Sequence, residues 1–255
     1  MRKAIILSAG QGKRLLPLTE TIPKCLLTLS GPTMLEWQLR ALAANGVAEV
    51  VVVIGFGADA VEHSLRGLQL PGMNVRTLYN PFYGVADNIG TCFVALPEMA
   101  GDFLILNGDT LFEPRLLAKV ISEADGPVSI TIDRKPSYDA DDMKVQSDGN
   151  RLLAVDKALP LETVDGESIG LLAFRQNGGA LFADTLNAVI REPNGVRRWY
   201  LSVIDRMARA GHVRTVSIEG MEWGEVDFPV DRERAEVMTK RWRDSARFDL
   251  SDAAQ

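Results

Sequence analysis

The sequence predicts an α/β fold, Rossmann-like, built on a mostly parallel sheet flanked by helices. Three observations carry that expectation. Five short runs rich in strand formers stand in the first half: KAIILSA (3–9), EVVVVIG (49–55), NVRTLYN (74–80), DFLILNGD (102–109) and PVSITID (127–133). Their near-continuous apolar character suits strands buried on both faces of a parallel sheet. Segments of helical periodicity separate several of them, so strand and helix alternate as in βαβ units. After about residue 134 the rhythm changes to a hairpin pattern.

The helices follow in order. TMLEWQLRALAANG (33–46) places Leu35, Leu39, Leu42 and Ala43 on one face and closes at Asn45-Gly46, a C-cap signal. ADAVEHSLRG (58–67) is shorter and ends at Gly67. PRLLAKVISEADG (114–126) opens with proline at the favoured first position and stops at glycine. Beyond residue 134, MKVQSDGNRLLAVDKAL (143–159) reads as a hairpin around Asp148-Gly149, a strong turn signal. ESIGLLAFR (167–175) is a further strand, and helices are expected near 178–191 and 197–210. HVRTVSIEG (212–220) and EWGEVDF (222–228) read as the last strands, before a charged amphipathic helix, DRERAEVMTKRWRD (231–244). No repeat, low-complexity stretch or linker interrupts the chain. One domain over 1–245 is expected, with 246–255 as a flexible tail.

With 46% hydrophobic and 24% charged residues, the chain has the composition of a soluble globular protein with a sizeable core. A net charge of −6 leaves no broad basic field for non-specific nucleic-acid binding, so clustered positive charges carry more meaning. Cys25 and Cys92 lack paired spacing, which points to a reducing compartment rather than a disulfide framework. The N-terminal apolar stretch ends after Ala9 and runs into Lys13 and Arg14, too short for a signal peptide. No run approaches the roughly 20 residues that a membrane span needs. The expected compartment is the cytoplasm. His63 and His212 are isolated, and no zinc-ligand spacing exists.

The first strand runs into SAGQGKR (8–14). Gly10 and Gly12 let the backbone approach a ligand closely, and successive N–H groups in such a turn form a concave anion nest. Lys13 and Arg14 add charge, and arginine can hold phosphate oxygens bidentately. The pattern suits a polyphosphate cradle and equally a basic surface turn. It is neither GxxxxGK[ST] nor GxGxxG, because Leu15 stands at the third glycine position.

The longer stretch LSAGQGKRLLPLTETIPKCLL (7–27) resembles the signature of the nucleotidyltransferase family that includes sugar-1-phosphate nucleotidylyltransferases and phosphocholine cytidylyltransferases. The resemblance covers residues 1 to about 230. It implies a GT-A-like nucleotidyltransferase fold with an acceptor-side β-hairpin lobe, a nucleotide-binding half over 1–133 and an acceptor-side half over 134–245. It also implies that Gly10, Gln11, Gly12 and Arg14 grip a nucleoside triphosphate, with Leu7, Ser8, Ala9 and Lys13 around them, and that Lys24 meets phosphate. Asp109, beside Gly108 at the end of an apolar strand, and Asp227 in WGEVDFPVD (223–231) would then bind Mg²⁺. Hard oxygen ligands suit that ion, although either aspartate could instead cap its own turn. Glu225 and Asp231 are expected on the surface or behind the aspartates.

Two further segments resemble the phosphocholine-cytidylyltransferase-like branch. YNPFYGVADNIGTCFVAL (79–96) carries Asn88 as a nucleotide contact, with Asp87 replacing the branch's first asparagine; a helix N-cap is the alternative reading. YDADDMKVQSDGNRLLAVDKAL (138–159) implies that Lys144 and Lys157 lie near the reacting phosphates, where residue type alone suggests surface lysines. The implied reaction is CTP- and Mg²⁺-dependent transfer of CMP to the phosphate or phosphonate of a small acceptor, releasing pyrophosphate. Arg134, Arg175, Arg197 and Arg198 favour an anionic acceptor such as phosphoglycerate over phosphocholine. A choline-type cation would need an aromatic cage, for which Trp199, Tyr200 and Trp223 are candidates. The rival readings are a sugar-1-phosphate nucleotidylyltransferase using UTP, dTTP or GTP, and a non-catalytic nucleotide-binding module. Retention of Arg14, Lys24, Asp109 and Asp227 argues against the module, and the missing dinucleotide fingerprint argues against a dehydrogenase.

Overall fold

The computed structural model describes residues 1–245 and Phe248. The first half contains β1 (Lys3–Ser8), α1 (Met34–Ala44), β2 (Glu49–Ile54), α2 (Ala58–Arg66), β3 (Asn74–Tyr79), α3 (Asn88–Ala95), β4 (Phe103–Asn107), β5 (Thr110–Phe112), α4 (Pro114–Glu123) and β6 (Val128–Asp133). The second half contains β7 (Lys144–Asp148), β8 (Arg151–Asp156), β9 (Gly166–Phe174), α5 (Gly178–Ile190), α6 (Leu201–Arg209), β10 (Val213–Ser217), β11 (Trp223–Glu225) and α7 (Pro229–Asp244).

Nine strands form one sheet in the order β3-β2-β1-β4-β9-β6-β10-β8-β7, and β5 pairs with β11 separately. β1 is parallel to both β2 and β4. The chain leaves β1 to one side, builds β2 and β3, and returns to β4 on the other side. That reversal opens a crevice at the carboxyl ends of β1 and β4, where ligands bind in open α/β sheets. The parallel order stops at β4, because β9 enters antiparallel between β4 and β6 and makes the sheet mixed. The β7–β8 hairpin turns through Gly149 at φ 59° and closes against β9.

Alternation along the strands explains the two-sided core. Ala4 and Ile6, Val50 and Val52, Leu104 and Leu106 face α1, α4 and α7. Ile5, Val51, Val53 and Ile105 face α3, α5 and α6. Neighbouring residues on a strand point to opposite faces, so a strand covered on both sides must be apolar throughout.

The structure differs from expectation at four places. A helix, α3, begins at Asn88, and Asp87 is its N-cap, accepting from the Asn88 N–H at 2.7 Å. Weak helix formers such as Gly90 and Thr91 left it only as the N-cap alternative in the sequence, and burial of Ile89, Cys92 and Ala95 stabilises it. The helix expected from 197 starts at Leu201, after a separate 3-10 turn over Gly195–Arg197. α7 starts two residues early, with Pro229 at its first position. Of the expected tail, only Phe248 is among the described residues, buried against Trp37 and Trp242.

Candidate active site

The glycine loop leaves β1 at Ser8 and turns through Gly12 at φ 77°. A Cβ at Gly12 would stand 2.9 Å from Lys24 Cβ, so glycine is required both for the backbone and for the lysine beside it. The PLT segment braces the loop: Thr19 Oγ1 donates to the Gly12 carbonyl at 2.8 Å, and Gln11 Nε2 donates to the Thr19 carbonyl at 3.1 Å. Gln11 is therefore engaged in shaping the loop, and Lys13 is exposed.

A cavity of about 310 Å³ lies over this loop, lined by Leu7, Ser8, Ala9, Gly10, Gly12, Lys24, Asn88, Gly108 and Asp109 among others. Sequence reasoning missed Cys25, Tyr83, Ala86, Thr91 and Asn107, which line it too. Cys25 follows Lys24 in the chain, whereas the other four arrive from the turn before α3, from α3 itself and from the end of β4, so only the fold brings those four here. Burial pushes the Cys25 thiol up to about 12, which leaves no thiolate to act as a nucleophile. Asn88 is held in place because its Oδ1 accepts from the Tyr200 N–H at 2.8 Å.

Lys24 joins the two predicted metal aspartates. Its Nζ lies 2.6 Å from Asp109 Oδ2 and 2.9 Å from Asp227 Oδ1. The β5–β11 pairing explains their closeness: Thr110 sits opposite Glu225, and the Val226 N–H donates to the Asp109 carbonyl at 3.2 Å. Burial alone would lower the Lys24 pKa, but the two carboxylates outweigh it and raise it. Burial likewise works to raise Asp227, and Lys24 and Arg14 reverse it, so its carboxyl titrates low. Arg14 Nη1 is 3.1 Å from Asp227 Oδ2, and its guanidinium lies 5.2 Å from the centre of the Phe228 ring.

Glu225 lies at this site beside the aspartates, the second of the two places that the sequence left open for it. Although open to the cleft by surface area, it is crowded by protein atoms. Desolvation, followed by the charges of Asp109 and Asp227, holds its carboxyl well above the usual range.

The aspartate pair fits a divalent cation. Both carboxylates already grasp one cationic centre, the Lys24 ammonium, and Asp109 Oδ1 is buried without a partner. Among the described residues, no group of three His, Cys, Asp or Glu side chains surrounds a metal position. The protein's share of a Mg²⁺ shell would thus be this pair, completed by phosphate and water oxygens.

A smaller cavity of about 180 Å³ adjoins the first across Asp109, lined by Arg14, Asp87, Asp141, Lys157, Trp199 and Glu225 among others. Lys157 Nζ is 3.2 Å from Asp141 and 4.7 Å from the centre of the Trp199 ring. The other residues expected on the acceptor side lie elsewhere. Lys144 is buried and turned into the hairpin, donating to the Lys157 carbonyl at 2.9 Å. Arg134 donates to the Asp165 carbonyl, Arg175 pairs with Asp102 and bonds the Ile121 carbonyl, and Arg198 pairs with Glu192. Arg197 is exposed. Arg134, Arg175 and Arg198 are thus held by local partners, and none of the four arginines lines either cavity. Of the three aromatic candidates only Trp199 lines this cavity; Tyr200 is buried, and Trp223 lines a neighbouring cleft and donates to Asp133.

Among the described residues, no helix is long and apolar enough to cross a membrane. The inositol-1-phosphate CTP transferase from T. maritima superposes with a TM-score of 0.79 at 23% identity, covering 95% of this chain and 96% of that one. The CMP-5'-(3-aminopropyl)phosphonate synthase of Streptomyces rubellomurinus is 28% identical over 96% of this chain and 40% of its own length. The N-acetylmuramate alpha-1-phosphate uridylyltransferase of Neisseria meningitidis is 36% identical over 43% of this chain and 47% of its own length. The chain thus spans about half the length, or less, of these two curated relatives. Residues 4–212 match the MobA-like NTP transferase domain, and with the glycine loop, Lys24 and the paired aspartates assembled at one crevice, the chain belongs to that nucleotidyltransferase family.

Proposed function

We propose that this chain is a cytoplasmic, Mg²⁺-dependent cytidylyltransferase that transfers CMP from CTP to the phosphate or phosphonate of a small acceptor. The observation that carries this reading is the Lys24 bridge between Asp109 and Asp227, set on the border of two adjoining cavities. A triphosphate over the glycine loop reaches that border with its α-phosphorus. An acceptor in the smaller cavity reaches it from the other side. The acceptor oxygen bonds to phosphorus, the bond to the β-phosphate oxygen breaks, and its electron pair leaves with pyrophosphate. A phosphate near pH 7 is already ionised, so no strong general base is needed. Catalysis is positioning and charge neutralisation.

Arg14 and Lys24 would neutralise charge on the transferring and leaving phosphates. Mg²⁺ held by Asp109 and Asp227 would supply Lewis-acid stabilisation of phosphoryl oxygens. Lys157 is the one expected acceptor lysine that lines the acceptor cavity, and it would orient the incoming phosphate.

The arginines that favoured an anionic acceptor sit elsewhere, so that preference loses its support. Asp87 and Asp141 line the acceptor cavity beside the Trp199 ring. Carboxylates with an aromatic face suit an alkylammonium, so the acceptor pairs a phosphate or phosphonate with an ammonium group. The aminopropylphosphonate named for the Streptomyces relative has that form.

The test is pyrophosphate release with CTP, UTP, dTTP, ATP or GTP against aminoalkylphosphonates, phosphocholine, phosphoglycerates and sugar 1-phosphates, with and without Mg²⁺. Release from CTP with an ammonium-bearing acceptor is expected. Release only from UTP or dTTP with a sugar 1-phosphate would support the reading that the Neisseria relative favours. Preference for phosphoglycerate would restore the anionic acceptor.

A further inference from the structure

Asp87, Asn88, Asn107 and Asp109 line both cavities. On the reading proposed above, the transferring phosphorus lies at this border, bonded to the nucleotide on one side and approached by the acceptor on the other. Asp87 caps α3, Asn88 is fixed by Tyr200, and Asp109 holds Lys24. Asn107 is left without an assigned role.

Its seat is built with care. Asn107 ends β4, and its carbonyl accepts from Gln38 Nε2 at 2.7 Å; the same nitrogen reaches the Thr110 carbonyl at 2.8 Å and pins the turn. The side-chain Oδ1 is buried without a partner. The amide nitrogen has no hydrogen bond to another described residue either. An unpaired buried polar atom costs on the order of 1–3 kcal/mol; Oδ1 is an acceptor and cannot meet a phosphoryl oxygen, so the group's available donor is its amide nitrogen, on a residue that lines both cavities.

Across from it, β9 is bulged: its register with β6 shifts between Ile130 and Ile132. Gly170, within that irregular stretch, has φ 72°. A Cβ at Gly170 would meet the Asn107 carboxamide, at 2.5 Å from Cγ. Thr110 Oγ1 fastens the bulge by donating to the Ile169 carbonyl at 2.8 Å. Bulges beside active sites commonly serve to re-aim a side chain. Here the bulge and its left-handed glycine clear the space that the carboxamide occupies.

We propose that Asn107 is a catalytic residue, whose carboxamide donates an N–H to a non-bridging oxygen of the phosphoryl group as it passes from pyrophosphate to acceptor. No proton moves in this contact. The group has the right chemistry for its position. Asp109 nearby carries negative charge that would repel phosphoryl oxygens, whereas a neutral amide adds a donor without adding charge.

The experiment compares wild type with Asn107→Ala, Asn107→Asp and Gly170→Ala, with thermal melting of each to establish folding. We expect kcat to fall on the order of 10²-fold in Asn107→Ala and further in Asn107→Asp, the loss seen when one preorganised donor is removed. KM for CTP stays within about threefold, since the contact strengthens in the transition state. Folded Gly170→Ala, in which Asn107 keeps its chemistry but loses its seat, shows the same kcat loss. A kcat for Asn107→Ala within about twofold of wild type, or a change confined to melting temperature, would overturn the proposal.

Should Mg·CTP bind wild type while no acceptor releases pyrophosphate, the proposed reaction fails and this inference is decided by ³¹P NMR. The α-phosphorus resonance of bound Mg·CTP then differs between wild type and Asn107→Ala if the amide touches it, and an identical resonance overturns the contact. Absence of Mg·CTP binding to wild type overturns both readings.

Discussion

The Lys24 ammonium allows Asp109 and Asp227 to lie side by side, and a divalent cation would compete for the same oxygens. Replacing Lys24 by Met leaves two carboxylates facing each other without a counter-ion. The variant should melt at a lower temperature than wild type, and Mg²⁺ without nucleotide should raise its melting temperature more than that of wild type. Equal Mg²⁺ responses would mean that Lys24 and the metal do not share a seat. Arg14→Ala should lower kcat by on the order of 10²-fold, as loss of one preorganised donor does, with an unchanged circular dichroism spectrum. Near-normal turnover would remove Arg14 from the mechanism.

Glu167 sets a pH dependence at the same scale. Its burial, with Asp142 nearby and Lys135 opposing, raises its pKa from 4.5 to about 7. Between those values the folded chain holds a proton that the unfolded chain has lost. The unfolded state therefore binds fewer protons, and this group's contribution to stability falls as pH rises through about 7. Urea unfolding of Glu167→Gln at pH 5 and pH 8 should show a smaller fall than wild type. An equal fall would place the titration elsewhere.

At the scale of elements, the glycine loop and the phosphate-side lysine form one unit. Gly12→Ala forces a strained left-handed alanine against Lys24 Cβ, 2.9 Å away. Calorimetric titration should show Mg·CTP binding weakened by about tenfold or more, because displacing a positioning group by 1 Å is costly. Unchanged affinity would show that the loop tolerates the shift. This loop was legible in the sequence because its motif is contiguous. The β1 to β4 order was legible for the same reason: apolar runs and helix caps are local signals. Asn107 and the bulge at Gly170 were not, and Glu225 was read only as far as a place on the surface or behind the aspartates. Their roles come from β9 and β11, which pair with β4 and β5 from far along the chain. Residue type likewise says nothing of the partners that Arg134, Arg175 and Arg198 find, Asp165, Asp102 and Glu192. Lys144 is the same case: its buried ammonium serves the hairpin backbone.

At the scale of the whole molecule, α7 ties the end of the chain to its beginning. Ser30 N–H donates to Glu236 Oε1 at 2.8 Å, and Arg243 Nη1 donates to the Ser30 carbonyl at 2.9 Å. Trp242 is fully buried, with its ring centre 6.1 Å from that of Trp37 on α1. Trp242→Ala should destabilise the fold by about 3–5 kcal/mol, the usual cost of truncating a buried large aromatic, with KM values unchanged. A loss below about 1 kcal/mol would show that the helix is dispensable to the core. The central claim concerns the crevice between the two halves, where Lys24, Asp109 and Asp227 meet. The most direct test is mass spectrometry of the products that wild type and Asp227→Asn form from CTP, Mg²⁺ and an aminoalkylphosphonate. The account predicts a CMP conjugate from wild type that falls by orders of magnitude in Asp227→Asn. A conjugate formed equally by both proteins, or formed only from another nucleotide with a sugar 1-phosphate, would contradict it.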